Sequence, residues 1–243
     1  MTQLLFLGGN GQLDIGRLIR ELFSIHMSCT ETRTKVPIMN VLHIDSGILG
    51  DHSVSRRLTA AIAAQVRADH PQANVVYRDL VADALPHLTG AHLMAANAKP
   101  EDVDARIAAD VATSASVLDE FLAADTVVLG APMYNFSLPS QLKAWIDRIA
   151  VAGKTFRYTE NGPEGLAKGK KVIVVSTRGG HYSSGPAAAM DHQESYLQAV
   201  FGFLGITDIE FVRAEGLNIS ADSKTAAISE AERTISSNLK LAS

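Results

Sequence analysis

Thr126-Val-Val-Leu-Gly-Ala131 is a continuous apolar run of strand length, and Val172-Ile-Val-Val-Ser176 is a second one. Runs without polar alternation suit strands buried on both faces of a parallel sheet. Upstream, Val41-Leu-His-Ile-Asp45 reads as a strand that stops in a Ser/Gly loop. Ser55 then caps a run with Leu58, Ile62 and Val66 at helical spacing. A further strand is expected at Val75-Val-Tyr77 and another at Ile209 to Val212. Helical spacing is expected over about 101–122, 139–151, 193–204 and 220–239.

Strands alternating with helices imply one parallel sheet covered on both faces. Five such strands predict a doubly wound α/β domain of flavodoxin-like order 2-1-3-4-5. Thr155-Phe-Arg-Tyr-Thr-Glu-Asn-Gly162 alternates and then turns, which predicts a short hairpin outside that sheet. The clean pattern occupies 39–243. Residues 1–38 hold only a short apolar run (Leu4 to Leu7), an amphipathic stretch (Ile15 to Ile25) and a polar segment. They read as an irregular, dispensable extension, with Met39 as the expected native start.

Composition excludes several classes. The 243 residues are 47% hydrophobic and 20% charged, which is globular rather than disordered usage. A single Cys leaves no disulfide framework and no Cys-built metal site, and fits a cytoplasmic setting. The formal charge of −4 argues against binding nucleic acid through overall basicity. No apolar run spans a bilayer, and the N-terminus lacks the basic start of a secretory signal.

Right-handed crossovers bring the loops after the first, third and fourth sheet strands to one edge, where a ligand sits. The first loop, Ser46 to Ser55, carries Gly47, Ser53, Val54 and Ser55 at the start of a helix. Free amides and two hydroxyls can hold an anion there, and the same serines also fit a plain helix cap. The second loop places Met133, Tyr134 and Phe136 around Asn135, directly after a buried strand. Three large apolar residues in a loop pack either on the core or on a flat aromatic ring. Amides around Asn135 and Phe136 can then face a ring nitrogen that gains electron density on reduction. The third loop, Thr177-Arg178-Gly179-Gly180-His181-Tyr182-Ser183, has a glycine pair that admits close approach of backbone to a ligand.

Other signals are set aside. Gly8-Gly-Asn-Gly11 lacks the third glycine of a dinucleotide fingerprint, because Asp14 stands there. No His pair has zinc-protease spacing, and no G-x-S-x-G elbow is present. Cys29 has no reactive context, and His43 reads as packed or at a sheet edge. Glu160 to Lys171 reads as a solvated or interface surface. Trp145, Ile146 and Ile149 form an apolar helix face suited to the core or to a partner.

Ser53-Val-Ser55, Ala131-Pro-Met-Tyr-Asn-Phe136, Thr155-Phe-Arg-Tyr-Thr-Glu-Asn-Gly-Pro-Glu-Gly165, Thr177-Arg-Gly-Gly180 and Phe201-Gly-Phe-Leu-Gly-Ile206 carry a resemblance. From Met39 onward the chain resembles the FMN-dependent NADH-azoreductase/quinone reductase family of flavodoxin-like enzymes. The resemblance implies one noncovalent FMN per subunit, with its phosphate at Gly47 and Ser53 to Ser55. It implies a ring against Met133, Tyr134, Asn135 and Phe136, with its other edge at Thr177, Arg178, Gly179 and Gly180. His181 or Tyr182 is the candidate to stabilise the reduced flavin. NADH as donor, then a quinone or azo compound as acceptor in the same cleft, implies ping-pong kinetics. The family commonly has Ser where this chain has Gly47, so a weaker hold on the phosphate is expected. The resemblance also implies a homodimer, with the Thr155–Gly165 hairpin, its Phe156 and Tyr158, and the Trp145 face as partner surface. The rival readings are an electron carrier without its own substrate, which the modest charge disfavours, and a flavin-free receiver-like domain, for which Asp45 alone is too little acid.

Overall fold

A computed structural model describes residues 38–95 and 98–238. The expectations for the Leu4–Leu7 run, the Ile15–Ile25 stretch, Gly8 to Gly11 and Cys29 lie outside the described residues. The central sheet has five parallel strands: β1 (Asn40–Asp45), β2 (Asn74–Asp79), β3 (Thr126–Pro132), β6 (Lys171–Thr177) and β7 (Asp208–Ala214), in the order β2-β1-β3-β6-β7. With the hairpin strands β4 (Phe156–Thr159) and β5 (Gly162–Gly165) set apart, this is the expected 2-1-3-4-5 order.

β3 and β6 are buried along their whole length, as their unbroken apolar runs require. On one face, Leu58, Ile62 and Val66 of α1 (Val54–Asp69) pack on Val41, Val128, Ile173 and Val212. Ala231 and Ile235 of α6 (Ala221–Asn238) join them. The other face carries α3 (Ala105–Ala123), α4 (Ser140–Ile149) and α5 (Glu194–Phe203) over Leu42, Ile44, Leu129 and Val174. No described helix is long and apolar enough to cross a membrane.

Several local expectations are corrected. α3 starts at Ala105, not near 101, because the Asp104 carboxylate accepts the Arg106 and Ile107 amides and fixes the start there. A short helix, α2 (Gly90–Ala95), has no periodic apolar signal. α1 begins at Val54, so Ser55 lies in its first turn and is not its cap. Trp145 is fully buried, edge-on to Phe121 at 5.8 Å, and is core rather than partner surface. Lys171 is buried rather than solvated, since it opens β6 and pairs with Asp208 and Glu210 on β7, each at 3.1 Å. His43 is buried beside Asp45, 3.5 Å away.

The hairpin is fixed by a backbone contact. A Cβ on Gly165 would lie 2.1 Å from the Gly205 nitrogen, so only glycine lets β5 meet the end of α5. Phe156 turns inward onto Phe203, with ring centroids 4.6 Å apart, while Tyr158 stays 76% exposed.

Candidate active site at the carboxyl edge of the sheet

β1, β3 and β6 end in register, with Asp45 beside Gly130 and Pro132 beside Thr177. The three loops therefore leave the sheet side by side. In the first, the buried Ser46 hydroxyl donates to the Gly130 carbonyl at 2.6 Å and ties the loop to β3. Arg57 is the first residue of α1 whose amide bonds back, to Ser53 O at 3.2 Å. The amides of Val54, Ser55 and Arg56 have no intrahelical partner, and they stand at the positive end of a 16-residue helix. Ser53 occupies the cap position, yet its side chain makes no capping hydrogen bond. Instead Ser53 Oγ and Ser55 Oγ lie 3.0 Å apart, buried, and close on Gly47. A Cβ on Gly47 would come within 2.4 Å of Ser53 Oγ. Arg56 chelates Asp79 at 2.6 and 2.7 Å and donates through Nε to the Gly47 carbonyl at 3.0 Å, which orients that peptide.

The second loop is a tight turn. Tyr134 and Ser137 exchange backbone hydrogen bonds at 2.9 and 3.0 Å, and the residues between them, Asn135 and Phe136, have φ of 49° and 69°. Paired positive φ values are the signature of a type I′ turn, which here contains no glycine. Among the described residues neither the Asn135 nor the Phe136 amide has an acceptor. Three bonds hold the turn. The Met133 amide donates to Thr177 O at 2.8 Å, the Ile48 amide donates to the Tyr134 hydroxyl at 3.1 Å, and the His192 amide donates to Phe136 O at 3.0 Å.

In the third loop Arg178 lines the edge together with Thr177 and Gly179. Its side chain is fully buried. The guanidinium lies 2.9 Å from Asp191, 2.7 Å from Glu194 and 3.1 Å from Glu215, and Nε donates to Ser176 and to Gln193. Glu215 in turn accepts the Tyr182 and Ser183 amides at 2.8 and 2.9 Å, and the Ser183 hydroxyl. Burial pushes the Glu215 carboxyl up, but these hydrogen bonds and Arg178 outweigh it and hold it below the usual range.

Tyr182 and Phe136 meet edge to face at 6.0 Å, one from each loop. His181 is not brought to them. It lines a separate cavity of about 440 Å³ with Arg213, Glu215 and Arg233. Gly179 is close-packed, since a Cβ there would strike Asn218 Nδ2 at 2.6 Å. Sequence reasoning missed Asn218, Gln193 and Glu215, which reach the site from more than ten residues away in the chain and carry no motif.

The space between the loops comprises two cavities that share Met133 and Tyr134. One, of about 590 Å³, runs from Ile48 to Asn135 and Gln141; the other, of about 140 Å³, reaches from Ser53 to Thr177 and Gly179. Together they fall in the size range of small-molecule sites. A third cavity, about 580 Å³, runs along α1 beside Asp45 and Asp51, away from the second and third loops. Cavities that join the start of α1, with Ser53 and Val54, to the apolar Met133 and Tyr134 beside Asn135 suit a flat ring on a phosphorylated tail. FMN has that shape and chemistry.

Comparison with known proteins agrees with this chemistry. A family model described as a flavodoxin-like fold matches residues 39–239. The FMN-dependent NADH:quinone oxidoreductase of Sinorhizobium fredii (strain NBRC 101917 / NGR234) is 74% identical over 207 residues, covering 84% of this chain and all of that protein. The crystal structure of an azoreductase from Bacillus anthracis str. Sterne superposes with a TM-score of 0.72 at 34% identity, over 82% of this chain and 99% of that one. An FMN-dependent NADH-azoreductase from Bacillus anthracis str. Ames Ancestor, solved in complex with FMN, gives 0.73 at 27% identity, over 82% and 98%. Sheet order, cleft and near-complete coverage of an oxidoreductase at this identity lead to one conclusion: the chain belongs to the FMN-dependent NADH:quinone oxidoreductase family of flavodoxin-like proteins.

Proposed function

We propose that this chain carries out NADH:quinone oxidoreduction in the cleft between the loops after β1, β3 and β6, and that it also reduces azo compounds. The observation that carries this reading is the Asn135–Phe136 turn, whose two amides have no acceptor among the described residues and whose Asn135 lines the larger cavity. When bound, FMN supplies the two-electron redox chemistry that links NADH to the acceptor. The chain's residues bind and orient it. Gly47, the Ser53 and Ser55 hydroxyls and the Val54 to Arg56 amides hold the phosphate. Met133 and Tyr134 would pack on the ring, and the Asn135 and Phe136 amides would donate to its edge. Thr177, Gly179 and Gly180 line the opposite edge, with Tyr182 closing the lip. His181 is left out of this arrangement.

Azo reduction is supported by the solved azoreductases, one of them 34% identical. One cleft for donor and acceptor in turn supports a ping-pong order. The exposed Tyr158 on the hairpin supports a symmetric homodimer through that surface. The single Cys supports a cytoplasmic setting. The test is steady-state kinetics of the FMN-loaded protein with NADH and NADPH against a soluble quinone and an azo dye. Parallel double-reciprocal lines with both acceptors are expected. Turnover of the quinone alone would remove the azo part, and intersecting lines would remove the ping-pong order. Light scattering is expected to give a dimer that Tyr158→Glu weakens, and an active monomer at micromolar concentration would overturn the dimer.

A further inference from the structure

One wall of the cleft comes from the connection between β7 and α6. The 140 Å³ cavity that touches Ser53, Met133 and Gly179 is closed by Leu217, Asn218 and Lys224. No carboxylate lines it. The neighbouring cations are committed elsewhere: Arg56 to Asp79, Arg57 to Glu232, and Arg178 to its three carboxylates. Lys224 makes no ion pair among the described residues; it is exposed and lines the cavity. It also sits in the first turn of α6, where the helix dipole disfavours a cation. A lysine set against its own helix, on an acid-free cavity that also receives the end of α1, makes a site for an anion.

We propose that Lys224 is the cation that binds the phosphate of FMN. This rests on the cofactor placement given above. A phosphate monoester carries about −1.5 to −2 charges at neutral pH, while a helix end offers roughly +0.5. Ser46 to Ser55 contain no Lys or Arg to make up the difference. A lysine is a point charge on a flexible stem, which suits a phosphate approached from the opposite wall.

The experiment titrates the full chain, stripped of flavin, with FMN and with riboflavin, which lacks the phosphate. Wild type, Lys224→Gln and Lys224→Arg are compared. Lys224→Gln is expected to weaken FMN roughly three- to tenfold at low salt and to leave riboflavin unchanged. The difference should shrink at about 0.5 M salt, and Lys224→Arg should keep most of the affinity. Equal loss for both flavins would overturn the proposal, because Lys224 would then act on the ring or the fold. FMN affinity unchanged, with a raised KM for NADH but not for a phosphate-free dihydronicotinamide, would also overturn it and assign Lys224 to the donor's diphosphate. Wild type that binds neither flavin would sink the cofactor placement itself, which is a distinct result.

Discussion

The backbones of Asn135 and Phe136 are both left-handed, at φ 49° and 69°, and form the centre of one turn closed by Tyr134 and Ser137. Asn visits this region at little cost, whereas a side chain without a local polar group costs about 1–2 kcal/mol there. The turn therefore stores strain at Phe136, and the bonds from Ile48, Met133 and His192 keep it in place. The prediction is a series at position 135. Asn135→Gly should stay within about 0.5 kcal/mol of wild type. Asn135→Ala should lose about 1 kcal/mol, and Asn135→Val more, being β-branched. Asn135→Pro cannot reach φ 49° and loses the amide, so flavin loss or a large drop in turnover is expected with the fold retained. Urea melts and flavin content check the order. Equal stability for Gly and Val, or normal turnover with bound FMN in the Pro variant, would rule out the role given to this turn.

Gly165 and Gly205 approach so closely that a Cβ on the first would overlap the backbone of the second. Backbone cannot swing aside as a side-chain tip can. Gly165→Ala should cost about 1–3 kcal/mol, the usual range for overpacking. Gly162→Ala, in open space but at φ 104°, should cost through strain alone. Limited proteolysis is the check. The hairpin should become cleavable in Gly165→Ala, and an uncut hairpin would show that β5 docks by other contacts.

These two sites mark what sequence reading could reach. The strands were legible because β3 and β6 are apolar through their centres, Val127 to Ala131 and Val172 to Val175, and the loops after them follow from crossover handedness. The Asn135–Phe136 pair was visible as residues out of place in a loop, but its left-handed backbone was not, since neither residue is glycine. Arg178 enters the cofactor edge through the resemblance of Thr177 to Gly180, which says nothing of where its side chain points. Its true direction depends on Asp191, Glu194 and Glu215, three carboxylates that only the fold assembles. Lys171 misled for the same reason: its partners lie on β7, beyond any local pattern.

Glu215 gives a pH prediction. Its carboxyl is held below the ordinary Glu range despite burial, by bonds from Ser183, Tyr182 and Arg178. A lowered folded pKa means a stabilising contribution that is fully present above the ordinary value of about 4.3. That contribution is lost as pH falls through the lower folded value. The third loop should therefore loosen, and FMN be released, as pH falls below the ordinary Glu value of about 4.3. Glu215→Gln still accepts the two amides but cannot titrate, so its stability should be lower at neutral pH and flatter across the acid limb. Melts and flavin release between about pH 3 and pH 5 test this. An acid limb as steep in Glu215→Gln as in wild type would assign the effect to another carboxylate.

The first bonds of the sheet bear on residues 1–38. The Met39 carbonyl accepts the Asn74 amide at 2.9 Å, and the Asn40 amide donates to Asp125 at 2.7 Å. Met39 itself packs against the cluster under α1. The Asn40 side chain also donates to the Ile38 carbonyl, at 3.4 Å. The family model matches from residue 39, and a chain starting at Met39 keeps these sheet bonds, so it is expected to match the full-length protein in Tm, FMN content and quinone turnover. Removal of Met39 to Val41 as well should be costly. It takes away the bonds of Met39 and Asn40 to Asn74 and Asp125 that anchor β1 between β2 and β3, and the buried Val41 with them. The loss should be about 2–4 kcal/mol. Expressing both truncations beside the full chain decides the boundary. An insoluble or flavin-free protein from the Met39 start would make residues 1–38 structural, and an intact protein lacking Val41 would move the boundary further in.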